Sequence, residues 1–193
     1  FLLNPYIARD AKIRKLLDYV DKEVIPETFI CVHIGRPIPE GYRQAIAEHF
    51  PKAALVEADE SRFSPDELPQ NVRDALAGGH TAYAEEYYAL KILEEQGGIV
   101  LKPEMRPNLQ MKRCRLERIF FGFENEEELT AGCFGAVKGH YVIQALLATY
   151  EADNIFNKAF LPLKDRLRDF LALHFRLKVN GRKQLLKKEI QVY

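Results

Sequence analysis

The chain has no tryptophan, no net charge, and only three cysteines, Cys31, Cys114 and Cys133, none of them in a C-x-x-C pair. Each shortage excludes something. Without tryptophan, any flat aromatic platform must come from tyrosine, phenylalanine or histidine. An odd number of widely spaced cysteines gives neither a disulfide framework nor a zinc site, and fits a reducing, cytoplasmic setting. Basic and acidic residues number 28 each, so no overall field gathers nucleic acid or another polyanion. No apolar run approaches the roughly 18 residues that span a bilayer, and Phe1-Leu2-Leu3 is too short for a signal-peptide core. The uncapped ends predict that the chain is part of a longer product.

What is present is an ordinary core in an uneven charge distribution. At 193 residues and 47% hydrophobic content, one compact domain is expected. Residues 158 to 193 hold ten Lys and Arg against Asp165, Asp169 and Glu189, a tail of net charge +7 that the rest of the chain balances.

Periodicity divides the chain into alternating helices and strands. Residues 7 to 24 place Ile7, Ile13, Leu16, Leu17, Val20 and Val24 at helical spacing, predicting an amphipathic helix over 1–24 packed on the domain. Thr28 to Ile34 reads as a buried strand, followed by the loop Gly35-Arg36-Pro37-Ile38-Pro39. A helix is predicted from Gly41 to Phe50, a strand from Ala53 to Ala58, and helices over 70–77 and 82–96, the last capped by Gly97-Gly98. Ile99-Val100-Leu101 is a short strand entering Lys102-Pro103-Glu104. Further strands are expected at 118–123 and 132–137, and helices at 140–151, 163–177 and 182–188. The strand-helix-strand pattern predicts an α/β fold with a mostly parallel central sheet and an α-helical C-terminal part over 158–193. Its site lies beyond the carboxyl ends of the strands.

Three blocks, in order, carry a resemblance over residues 25 to 151. The first is Ile25-Pro26, the strand, and Gly35-Arg36-Pro37-Ile38-Pro39-Glu40. The second is the helix Tyr83-Ala84-Glu85-Glu86-Tyr87-Tyr88-Ala89-Leu90-Lys91-Ile92-Leu93, followed by Gly97-Gly98-Ile99. The third is Gly122-Phe123-Glu124-Asn125 followed by Gly135-Ala136-Val137-Lys138-Gly139-His140. Together they resemble the glycosyltransferases with a DXD sugar-binding region, the family of capsular polysaccharide synthesis enzymes and the yeast mannosyltransferase that initiates outer chains. The resemblance implies a GT-A-like, Rossmann-type nucleotide-sugar-binding sandwich over 25–157. It also implies retaining transfer from a UDP- or GDP-sugar to a glycan or lipid-linked acceptor, with Mn2+ or Mg2+.

At the positions that matter most the chain departs from that pattern. A nucleotide diphosphate concentrates negative charge, which a hard cation held by carboxylates offsets. The family's two aspartates, one residue apart, correspond here to Lys102 and Glu104 flanking Pro103, so Glu104 is the candidate metal ligand. The family's helix aspartate corresponds to Glu86 and its arginine to Ala89. Three readings stand open. Lys102 supplies the positive charge in place of a metal; or the domain keeps its scaffold without catalysis and binds a partner glycosyltransferase or glycan; or Glu104 and Glu86, helped by Glu85, reach a cation.

The resemblance marks Gly35, Arg36, Glu86, Lys102, Glu104, Asn125 and His140 as candidate donor-binding residues. His33 corresponds to an aromatic position near the donor base, and His140 is either a helix cap or faces the sugar. Glu124 and Asn125 bind sugar hydroxyls or simply turn into the acidic run Glu126-Glu127-Glu128. Tyr83, Tyr87 and Tyr88 read as packing. Residues 163 to 188 carry Leu163, Leu167, Phe170, Leu171 and Phe175 with interspersed cations. They either cover the core or rest on an anionic membrane at its inner face. A homo-oligomer is also compatible with these features, and nucleic acid is not an expected partner.

Overall fold

The computed structural model describes residues 24–152, 160–186 and 190–193. The helix expected over residues 7 to 24 lies, but for Val24, outside them. Among the described residues seven strands form one sheet: β1 (Thr28–Val32), β2 (Ala54–Ala58), β3 (Gly98–Leu101), β4 (Ile119–Phe123), β5 (Leu129–Ala136), β6 (Gln184–Leu186) and β7 (Ile190–Val192), in the order β2-β1-β3-β5-β4-β7-β6. The helices are α1 (Tyr42–His49), α2 (Gln70–Ala77), α3 (Thr81–Gln96), the short α4 (Met111–Cys114), α5 (Tyr141–Glu151) and α6 (Leu163–Phe175).

Side chains on a strand alternate between faces, and here both faces are covered. Ile30, Val32 and Val100 join α2, α3, α5 and α6 in the larger core. Phe29, Cys31, Ile99 and Leu101 point the other way, onto Tyr42, Ile46 and Phe50 of α1 and Met111 and Cys114 of α4. The result is a three-layer α/β sandwich. α3 is buried nearly all round, between the sheet and helices α2 and α5.

The sheet is mixed, which corrects the mostly parallel expectation. β1 pairs in parallel with β2 and β3, and β4 with β7, but β5 runs antiparallel to both β3 and β4, and β6 to β7. Direction is set by the connection: the short turn from Phe123 to Leu129 permits only a hairpin, whereas parallel neighbours need a crossover. The C-terminal part is also not wholly helical. Within the stretch 182–188, Gln184–Leu186 is an edge strand returning through β7 to the flank of β4. Its exposed Leu185 beside buried Leu186 follows a period of two.

α6 buries Leu163, Leu167, Leu171 and Phe175 in the larger core and so covers the domain. The basic tail is also interleaved with acids. Lys164 pairs with Glu128 at 3.2 Å, Arg168 with Asp165 and Asp169, and Gly181 packs against Glu126 of the acidic turn. Among the described residues no helix is long and apolar enough to cross a membrane.

Gly97 and Gly98 turn α3 directly into β3. Gly98 has a φ of 132°, and a Cβ there would stand 2.7 Å from the Thr28 carbonyl oxygen. Gly98→Ala is therefore expected to destabilise the fold by about 3 kcal/mol or more, read as a lower urea midpoint with an unchanged slope. The Tyr88 hydroxyl is fully buried without a hydrogen-bond partner among the described residues. Tyr88→Phe should accordingly stabilise the protein, by about 1 kcal/mol in the same measurement.

Candidate functional site

The parallel register of β1 with β3, Phe29 opposite Ile99 and Ile30 opposite Val100, makes the two strands end side by side. Their following segments, Ile34 to Arg36 and Lys102 to Glu104, therefore leave the sheet at one edge. α3 runs back from that edge into β3, which places its first turns beneath both loops. It contributes two consecutive carboxylates there, Glu85 and Glu86, both buried.

Neighbours on a helix point about 100° apart, and the two glutamates serve different partners. Glu85 turns to β1: its Oε1 accepts the Ile34 backbone N–H at 3.0 Å and its Oε2 accepts from Arg36 Nη2 at 3.1 Å. Glu86 turns to the C-terminal segment. Its Oε2 accepts the N–H of Leu163, the first residue of α6, at 2.7 Å, with the Tyr150 hydroxyl donating at 3.4 Å. Its Oε1 lies 4.0 Å from Lys102 Nζ. Burial pushes the Glu86 carboxyl above the ordinary glutamate range; the Leu163 N–H, Lys102, Tyr150 and Arg166 oppose that push.

Lys102 is fixed at its backbone, and its tip makes the 4.0 Å approach to Glu86. Its N–H donates to the Gly132 carbonyl at 2.9 Å and its carbonyl accepts from Met105 at 2.9 Å. The side chain, 31% exposed, reaches the floor of an open cleft of about 510 Å³. Glu86, Glu104, Glu124, Thr130 and Lys164 share that cleft. A register shift between Phe121 and Gly122 opens it: Phe121 pairs with Phe134 but Gly122 with Thr130, so β5 leaves the β4 ladder where it lines the cavity.

Beneath the floor, Ala89 lies one turn beyond Glu85 and borders a pocket of about 20 Å³ with Glu86, Lys102 and Leu163. That space holds about one water molecule. A second depression, of about 470 Å³, lies beside the loop after β1 and is lined by His33, Pro37, Glu40, Arg43 and Glu57. Arg36 extends from this loop towards the first cleft, with its Nη1 3.9 Å from Glu104.

Of the residues marked from sequence, Gly35, Arg36, Glu86, Lys102 and Glu104 gather at one edge of the sheet. Gly35 provides the positive φ of 67° that turns the loop, and its N–H meets Glu60 at 3.4 Å. Asn125 is exposed and follows Glu124 in the chain, and its Oδ1 accepts the Glu127 N–H and shapes the turn. His140 lies apart. It follows Ala136, which pairs with Gly98 at the opposite end of β3, and its Nδ1 caps α5 by accepting the Val142 N–H at 3.2 Å. His33 bonds the Arg36 carbonyl through Nδ1 at 3.0 Å, and Tyr83, Tyr87 and Tyr88 are core residues. Lys164 and Thr130 were not marked from the sequence, because only the folding of α6 and β5 against the loops brings them to the cleft.

The donor set does not fit a divalent cation. Glu104 is 61% exposed and faces Arg36, one Glu86 oxygen is held by Leu163, and the other faces the Lys102 ammonium at 4.0 Å. Among the described residues no group of three His, Cys, Asp or Glu side chains is disposed to hold a metal ion.

No protein-family model and no curated protein matches the chain. Among solved structures, the PaToxG glycosyltransferase superposes with a TM-score of 0.51 at 15% identity, over 87% of this chain and 78% of that one. The fold is therefore similar to that of a glycosyltransferase.

Glu85 is the residue on which the β1 loop rests. Glu85→Ala leaves the Ile34 N–H and the Arg36 guanidinium without their acceptor and should lower stability by about 1–3 kcal/mol. Glu85→Gln, which keeps a carbonyl acceptor, should lose less. Equal urea midpoints for Glu85→Ala and the parent would contradict this role.

Proposed function

We propose that this chain is a glycosyltransferase-like domain that binds a nucleotide-sugar donor at the carboxyl ends of β1 and β3, for transfer to a glycan or lipid-linked acceptor. The observation that carries this reading is the pair of cations at that edge, Arg36 and Lys102, each backed by a buried carboxylate of α3. A diphosphate needs fixed positive charge on a rigid support, and the ends of adjacent strands in an open α/β sheet are where such ligands bind. The fold likeness to a glycosyltransferase supports the same assignment.

Around this centre the cleft divides by chemistry. The depression at His33, Pro37 and Glu40 offers a flat edge and a carboxylate for a base and ribose. On the other side Phe123, Glu124 and Thr130 provide an aromatic face, a carboxylate and a hydroxyl, the groups that bind sugars. Cavities of about 470 and 510 Å³ are large enough for the two halves of a nucleotide sugar.

A second reading, a non-catalytic module that binds a partner glycosyltransferase or glycan, draws on one specific observation. Glu86, where the resembling family has its helix aspartate, is tied to the N-terminus of α6. Donor turnover separates the two. Calorimetric titration with UDP- and GDP-sugars should give saturable binding to at least one, and incubation with that donor should release nucleoside diphosphate if the domain is an enzyme. Binding without hydrolysis or transfer favours the module, and no binding to any donor overturns the donor reading.

A further inference from the structure

We propose that Lys102 takes the part of the divalent cation at this cleft, with Glu86 as its internal counter-ion, so that a nucleotide sugar binds without metal and with uptake of a proton. The proposal rests on the donor-binding reading above and deepens it.

The first support is the failed fit of the carboxylates to a metal. The Glu86 oxygen that an ion would need as a ligand faces instead an ammonium group on a rigid strand end. Buried Pro103 follows it directly, and the backbone hydrogen bonds to Gly132 and from Met105 prevent the loop from swinging clear. The Lys102 backbone is therefore held in place, and only its side chain moves.

The second support is the asymmetry of the two cations. Arg36 is hydrogen-bonded to Glu85 at 3.1 Å, whereas Lys102 stands 4.0 Å from Glu86, at the limit of an ion pair. Lys102 is the one that can change partners. An anionic diphosphate in the cleft draws the ammonium towards itself and away from Glu86 Oε1.

Glu86 cannot follow, because its other oxygen anchors Leu163. It is faced by Lys102 from the β3 loop, Tyr150 from α5, Arg166 from α6 and Glu85 on its own helix. Lys164, Glu104 and Glu124 lie across the cleft, and His80 and Tyr83 border it on the side of the α3 N-terminus. Once Lys102 turns to the ligand, a buried carboxylate loses its nearest cation in the cleft, and its proton affinity rises. Burial already holds it above the ordinary range, so binding takes up part of a proton. The sign follows: affinity falls as pH rises through the titration of Glu86.

The test uses the intact chain and two probes, UDP-glucose and GDP-mannose, whose diphosphate diesters keep constant charge between about pH 5 and about pH 8. Calorimetry should give the same affinity in EDTA as in Mn2+. The apparent heat should change with the ionisation enthalpy of the buffer in the sense of proton uptake. Lys102→Ala should weaken binding about ten- to a hundredfold, the range of one charge-assisted contact. Glu86→Gln, whose carbonyl still accepts from Leu163, should abolish the proton uptake and flatten the pH dependence. Binding that requires Mn2+, or that takes up no proton, overturns this proposal and leaves the donor reading standing. Binding of neither probe under any condition overturns both.

A ligand-free measurement guards against variants that fail for other reasons. The stability that protonated Glu86 contributes is present below the ordinary glutamate value and lost as pH rises through its folded value. Lys102→Ala removes a charge that holds this value down, so the loss should extend to higher pH in urea midpoints taken from about pH 5 to about pH 8. A profile parallel to the parent's would sink the Lys102–Glu86 coupling.

Discussion

A carboxylate taken out of water keeps its charge only where donors replace the lost hydration, and α3 takes two of them into the interior side by side. Two segments at this end of the sheet are held by that pair. Glu85 holds the loop after β1 through the Ile34 N–H and Arg36; Glu86 holds the start of α6 through the Leu163 N–H. Because an α-helix turns about 100° per residue, adjacent glutamates are directed to different segments. The β1 loop and α6 are far apart in the chain, yet both are positioned by one rigid, buried helix.

The same arrangement explains what could be read from the residues alone. Strands β1 and β3 are legible as short apolar runs buried on both faces, and helices α1 to α3 as the longer stretches between Gly and Pro breaks. The direction of β5 is not legible, since a strand's own pattern does not record which way its neighbour runs. The turn after Phe123 decides it. Gln184–Leu186 is too short to display a period of its own, and the surrounding cations read as a helix face. Its strand pairing comes from β7 and β4, which are contacts of the folded sheet.

For the site, residue types were legible and commitments were not. Arg36, Glu86, Lys102 and Glu104 converge as their order after the strands suggests. Whether Glu86 is open to a ligand depends on a backbone N–H 77 positions later, which no local pattern reveals. Glu85, read from the sequence as a helper to a cation, instead holds an arginine. Asn125 and His140 carry side chains suited to sugars, but local demand takes them first: a turn needs an acceptor for Glu127, and α5 needs a cap.

The charge of the cleft bears on how any anion is held there. Arg36 and Lys102 face Glu85, Glu86 and Glu104, and Lys164 pairs with Glu128, so these cations of the cleft are each matched by a carboxylate. Long-range steering therefore contributes little, and affinity must come from contact inside the cavity. Contact in a pre-paired network means exchange of partners. The cation that is hydrogen-bonded to its carboxylate resists exchange, and the one at 4.0 Å yields first. Arg36 thus acts mainly as part of the frame and Lys102 as the part that responds, a division set by how tightly each neighbouring glutamate of α3 holds its cation.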